Sequence, residues 1–289
     1  MWLRVSCHLE LELEGESLLL LMLRVRSDAR QWVARDRYAV QPSLPVTEYR
    51  DLYGNACQRL LAPAGALTLA VSADVRVPAG VEQQPGAAFV PVQELPQEAL
   101  IHLLPSRYCE SDRLHALARD IVAGQSPGYD QVAAIAAWIY RNIAYRPATD
   151  PEPISALQVL ERRAGVCRDF AHLGIALCRS LSIPARLATG YLQGLEPMDL
   201  HAWFEAYVGG GWFTFDPTRE SLDGARVHLG YGRDAADAPV FHQFGPPAVP
   251  SLMQVDVEPI SGPDEGPVAP APAAAGVAAA GAGPTGGTP

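Results

Sequence analysis

The 289-residue chain has no lysine: all 22 of its basic residues are arginine, against 32 acidic residues and a formal net charge of −10. That absence excludes phosphate-binding loops that need a lysine, Schiff-base chemistry and the attachment of pyridoxal phosphate. The acidic balance argues against a nucleic-acid partner, which calls for a basic footprint. Cysteine is scarce too. Cys7, Cys57, Cys109, Cys167 and Cys178 are odd in number and widely spaced, with no CxxC pair. They form neither a disulfide framework nor a zinc ribbon, and free thiols suit a reducing compartment. Long hydrophobic runs are missing as well. The longest strongly apolar stretch, residues 18–23, is far short of the roughly 20 residues a membrane span needs. The N-terminus lacks the basic and apolar regions of a secretory signal. The expectation is a soluble, cytoplasmic protein with no membrane and no nucleic-acid partner.

What is present divides into three regions. In residues 1–85, Leu3, Val5, Cys7, Leu9, Leu11 and Leu13 fall on odd positions, and Leu67, Leu69, Val71, Ala73, Val75 and Val77 repeat the device. A period of two marks half-buried strands. With the apolar run at 18–25 and the turn signal Asp51-Leu52-Tyr53-Gly54-Asn55 between them, the region reads as a small antiparallel β-sandwich. Residues 86–260 change period. Helices are expected from Ser111 to about Ala123, from Gln131 to Ala144, from Ser155 to Arg163, and after Gly165 through Cys178. Strands follow at Ala185 to Leu192, Leu200 to Val208, Trp212 to Asp216 and Met253 to Val257. Helices followed by strands indicate an α+β domain. Residues 261–289 are rich in Ala, Gly and Pro and read as a disordered tail.

Cys167 stands at the start of its helix, where backbone N–H groups and the helix dipole favour a thiolate. Cys178, mid-helix, is core filler. His201 lies on one strand and Asp216 ends the next, with Gly209-Gly210-Gly211 between them. If Gly209 and Gly210 form a two-residue turn, Val208 pairs with Gly211 and Asp216 falls opposite Trp203, a diagonal neighbour of His201. A three-residue loop without a bulge would turn Asp216 to the other face. Together the three residues supply a nucleophile, a base and an orienting carboxylate.

These segments resemble a known family. Gly165-Val166-Cys167-Arg168-Asp169-Phe170-Ala171, Ile183-Pro184-Ala185-Arg186, Asp199-Leu200-His201-Ala202-Trp203 and Gly211-Trp212-Phe213-Thr214-Phe215-Asp216-Pro217-Thr218 look like the core of the bacterial transglutaminase-like superfamily, in its order of Cys, His, Asp. Gly232-Arg233-Asp234-Ala235-Ala236-Asp237-Ala238 resembles a segment common in its bacterial members, and the first region resembles the accessory domain that precedes the core. The resemblance implies a papain-like α+β fold preceded by that β-sandwich, with Cys167 as nucleophile, His201 as base and Asp216 as orienter. It implies no metal and no cofactor.

The expected reaction is attack of the Cys167 thiolate on a carboxamide or peptide carbonyl to give a thioester. Water then completes hydrolysis, or an amine completes transfer; a peptide or protein substrate and peptidase or amidase chemistry are expected. The backbone N–H of Cys167 is the first oxyanion donor. Tyr145 is the side-chain candidate, against a reading as a core aromatic. His172, five residues beyond Cys167, reads as structural. Competing readings are a metal site built from Cys167, His172, His201 and Asp216, and a non-catalytic binding module. Specificity is expected from loops at residues 147–153 and 193–198.

Overall fold

A computed structural model describes residues 1–146 and 152–263. The expected tail lies almost wholly outside the described residues, as does most of the loop at 147–153. Six strands come first: β1 (Trp2–Leu13), β2 (Ser17–Leu21), β3 (Trp32–Gln41), β4 (Thr47–Arg50), β5 (Ala56–Ala62) and β6 (Gly65–Arg76). A mainly helical stretch follows, with α1 (Gln97–Leu100), α2 (His115–Ile121), α3 (Tyr129–Asn142), strand β7 (Ala144–Tyr145), α4 (Ala156–Arg162), strand β8 (Ala164–Gly165) and α5 (Cys167–Ser180). The chain ends in β9 (Ala185–Leu192), β10 (His201–Val208), β11 (Gly211–Phe215), β12 (Arg226–Gly232), β13 (Phe241–Phe244) and β14 (Ala248–Ile260).

The odd positions of β1 and β6 are buried as their period requires, and they pack with Leu19, Leu21 and Leu60 in one apolar core. Two four-stranded sheets enclose it, ordered β14-β1-β6-β3 and β13-β2-β5-β4. Sequence position groups residues 241–260 with the second region, but their pairing is with the first. Val5 faces Val257 and Cys7 faces Val255 on β14, while Leu21 faces Phe241 on β13. The sandwich is therefore closed by strands that follow the second region's own sheet in the chain.

The helix expected from Ser111 begins later. Ser111–Arg113 is a 3₁₀ turn, and α2 starts only at His115. Ser111 is buried and makes no side-chain capping bond. At α4, by contrast, the Ser155 N–H donates to Gln158 Oε1 at 2.9 Å, half of a capping box. Helix α3 buries Val132, Ile135 and Ile139 on one stripe.

The third sheet, β11-β10-β9-β12, is covered on both faces. Ala202, Phe204 and Ala206 of β10 share a core with Phe170, Leu173 and Leu177 of α5. The approach is close: a Cβ added at Gly174 would meet the Phe204 ring at 2.5 Å. On the other face Trp203 clusters with Ala188, Tyr231 and Tyr53 of the first region. Two buried carboxamides from that region take the place of a neighbouring strand along the edge of β12. Gln31 Nε2 donates to the His228 carbonyl at 2.7 Å and Gln31 Oε1 accepts from its N–H at 2.8 Å. Asn55 makes the same pair with Tyr231, at 2.7 and 2.8 Å. Edge strands need such covers.

Candidate active site

Cys167 is the first residue of α5 and is half-buried. The turn before it is pinned by Asp169, whose Oδ2 accepts from the Val166 N–H at 3.1 Å and whose Oδ1 accepts from the Ile154 N–H at 3.3 Å. His172 extends this bracing. Its Nε2 accepts from the Ala235 N–H at 3.1 Å, so Nδ1 carries the proton and donates to the Ile154 carbonyl at 3.0 Å. Burial pushes the His172 pKa down, as a neutral ring requires. With both nitrogens on backbone groups, His172 is not available to a metal. Among the described residues no group of three or more His, Cys, Asp or Glu side chains is placed to hold one.

The hairpin carrying the other two residues takes the expected register. Val208 pairs with Gly211 and Phe204 with Phe215, which continues to Trp203 opposite Asp216. Gly209 and Gly210 have φ of 58° and 84°, the left-handed pair that a type I′ turn needs. Asp216 thereby reaches diagonally to His201, and His201 Nε2 donates to Asp216 Oδ2 at 2.8 Å. The other ring nitrogen is left for Cys167, whose thiol is near enough to favour the charged His201 ring. Burial alone would lower the His201 pKa. The bond to Asp216 and the nearby Cys167 outweigh it and raise the value to about 9. Burial also opposes charge on Asp216, yet the His201 bond, the nearby Arg226 charge and Thr218 hold its carboxyl well below the usual range. Thr218 donates twice to Asp216 Oδ1, from its hydroxyl at 2.7 Å and its N–H at 3.2 Å.

Tyr145 is exposed rather than a core aromatic. Strand β7 runs parallel to β8, with Tyr145 opposite Gly165, two residues before Cys167. Its hydroxyl is near enough to Cys167 for the thiol to bear on its pKa. Partial burial, then the neighbouring thiol, pushes its pKa up to about 12, so the phenol keeps its proton as a donor.

Sequence reasoning missed Arg226. It is buried on β12 and donates to Asp216 Oδ2 at 3.1 Å. It also missed Glu205, fully buried two positions beyond Trp203. Glu205 accepts from Arg186 at 2.6 and 3.0 Å and from Arg30 of the first region at 2.8 Å. Arg226 has no spacing signal. Glu205 did have one: His201, Trp203 and Glu205 alternate along a strand and must share a face.

A half-buried cysteine at a helix start, facing a His–Asp pair on an antiparallel sheet, defines the papain-like class of α+β fold. Comparison with known proteins narrows the class. The profile of the transglutaminase-like superfamily matches residues 115–217. Protein ML0607 of Mycobacterium leprae is 31% identical over 232 residues, covering 74% of this chain and 81% of that protein. Protein Mb2599c of Mycobacterium bovis is 27% identical over 246 residues, covering 75% and 78%. A solved structure from Cytophaga hutchinsonii, described as a "putative cysteine protease", is 36% identical with a TM-score of 0.83, covering 89% of this chain and 90% of that one. The chain belongs to the transglutaminase-like superfamily.

Proposed function

We propose that the protein is a cysteine-dependent acyl-enzyme hydrolase acting on peptide or amide bonds. The observation that carries this reading is the His201–Asp216 hydrogen bond beside Cys167 at the start of α5. The Cys167 thiolate attacks the carbonyl carbon. A C–S bond forms, and the carbonyl electron pair moves to the oxygen, where the Cys167 N–H and the Tyr145 hydroxyl converge as donors. Collapse breaks the C–N bond, and the departing amine takes the proton held by His201. Water then gives a proton to His201 and adds to the thioester, and the C–S bond breaks to release the acid. Asp216 fixes the ring and stabilises the imidazolium throughout.

Four of the five cysteines are buried. Burial raises Cys7 and Cys57 to about 11 and Cys109 to about 12, and pushes Cys178 up as well. A thiol probe should therefore single out Cys167, whereas labelling no faster than the buried thiols favours a binding module. The decisive experiment traps the acyl-enzyme with a peptide and amide library and reads it by mass spectrometry. Cys167→Ala should lose the adduct and at least about 10³-fold in turnover; full turnover in that variant sinks the proposal.

Amine transfer is the second reading. The chain has no ε-amine to act as acceptor, and the Met1 amino group is tied to the Val77 carbonyl at 2.7 Å. Purified protein incubated alone should form no isopeptide-linked multimers. The free thiols favour a reducing, cytoplasmic setting, and among the described residues no helix is long and apolar enough to cross a membrane.

A further inference from the structure

Asp216 carries a second cation besides His201. Arg226 Nη2 donates at 3.1 Å to the same oxygen, Oδ2, that accepts from His201 Nε2 at 2.8 Å. Two nitrogens bonded to one oxygen at those lengths are at most about 6 Å apart, so the guanidinium and a protonated His201 repel. Both side chains are buried, which leaves that repulsion little screened. Arg226 cannot swing away. Its Nη1 donates to the Leu222 and Gly224 carbonyls at 3.1 and 3.2 Å. The other ionisable groups facing the pair are Cys167 from α5 and Asp199 ahead of β10 on the His201 side, with Arg219 and Asp223 from the β11–β12 loop on the Arg226 side.

We infer that Arg226 is a positioning residue of the triad, which pins the Asp216 carboxylate and shares the charge of the oxygen facing His201. Resting on the hydrolase reading, the inference gives the arrangement a purpose. A carboxylate wholly at the disposal of His201 would make the imidazolium too stable to surrender its proton to the departing amine. A carboxylate split between two cations holds the ring in place with less grip on that proton. Arginine suits the task because it stays charged and its planar fork reaches the carboxylate and two carbonyls at once.

The test follows the His201 ring titration by NMR in the intact protein, with the resonance assigned by its loss in His201→Asn. Arg226→Gln keeps N–H donors without the charge. It should raise the His201 midpoint by about 1 unit, tenfold in proton affinity, and move the alkaline limb of Cys167 alkylation by iodoacetamide the same way. Arg226→Lys keeps the charge and should leave the midpoint unchanged, while the melting temperature falls with the lost carbonyl contacts. A purely structural arginine gives another pattern, with both variants less stable and the midpoint unmoved or lowered; that result overturns the inference. If Arg226→Gln does not fold, Arg226→Met, which keeps the stem and removes the charge, takes its place: a raised midpoint supports the inference and an unmoved or lowered one overturns it. The two readings fail separately. A wild-type Cys167 no more reactive than the buried thiols sinks the hydrolase reading, whereas an unmoved midpoint in Arg226→Gln sinks only the role of Arg226.

Discussion

Strand β10 has two faces held by different physics. Ala202, Phe204 and Ala206 meet α5 through apolar contact alone. His201, Trp203 and Glu205 are just as buried on the opposite face, but two of the three can carry a charge that needs a partner. An apolar face fails in proportion to the volume removed. A buried polar face fails group by group, because each charge left unpaired costs several kcal/mol. The candidate chemistry sits on the second kind of face, where directed bonds fix where a proton goes.

The sharpest way to break that contrast is to exchange the failures. His201→Asn should cost at least about 10³-fold in turnover and leave the melting temperature within a few degrees. Phe204→Ala should cost about 3–5 kcal/mol of stability, with the turnover of the folded fraction close to wild type. Denaturant melts, paired with turnover normalised to folded protein, check both; the reverse pattern would dissolve the distinction.

A second, narrower comparison lies within the polar face. Glu205 is wholly buried, whereas its partner Arg30 is 40% exposed. Glu205→Ala strands Arg186 and should cost about 3–5 kcal/mol. Arg30→Ala should cost no more than about 1 kcal/mol, because Arg186 still holds the carboxylate and solvent screens the lost pair. A cost for Arg30→Ala as large as that for Glu205→Ala would show that Arg186 alone does not hold the carboxylate.

The smallest effect is in pH. The folded-state pKa of His201 is raised to about 9. Its contribution to stability is therefore complete below the unfolded value of about 6.5 and is lost as pH rises through about 9. Asp216 is displaced the other way: its contribution is present above the ordinary carboxylate range and is lost only in strong acid. Thermal melts should hold a plateau below about pH 6.5 and decline from there toward about pH 9. His201→Asn should flatten that alkaline decline, and an unchanged decline would place its origin elsewhere.

Much of the site was legible because its signals are local. The helix start at Cys167, the alternation of β10 and the two-glycine turn each occupy a few consecutive residues, and register then carries Asp216 to His201. The accessory strands were legible as strands, but not their partners. Nothing near Val255 says that its neighbour is Cys7, nearly the whole chain away. Arg226 and the carboxamides of Gln31 and Asn55 escaped for the same reason, since a single polar residue bonded to a partner in another element leaves no period. Ser111 misled because a serine before an apolar run is the usual sign of a cap; here the chain turns once as 3₁₀ and starts its helix at His115. The Gly232–Ala238 segment owes its composition to several tasks. Ala235 holds His172, Asp234 accepts from the Tyr108 N–H at 2.8 Å, and Asp237 accepts from the Tyr53 hydroxyl at 2.7 Å.

The return of β14 to β1 also orders events in time. β1 is made before every element of the site, yet one of its two neighbours, Ala248–Ile260, is made after them all. Until then the nascent sandwich has an open edge, of the kind that pairs with other chains. The helix and strands bearing Cys167, His201 and Asp216 are all made during that interval. A chain broken off after Gly232 would carry every residue of the triad and still leave β1 and β2 without their outer partners. The fold thus ties a sound scaffold to synthesis well beyond the triad, and copies broken off before Ala248 are marked by the very edge that β14 closes.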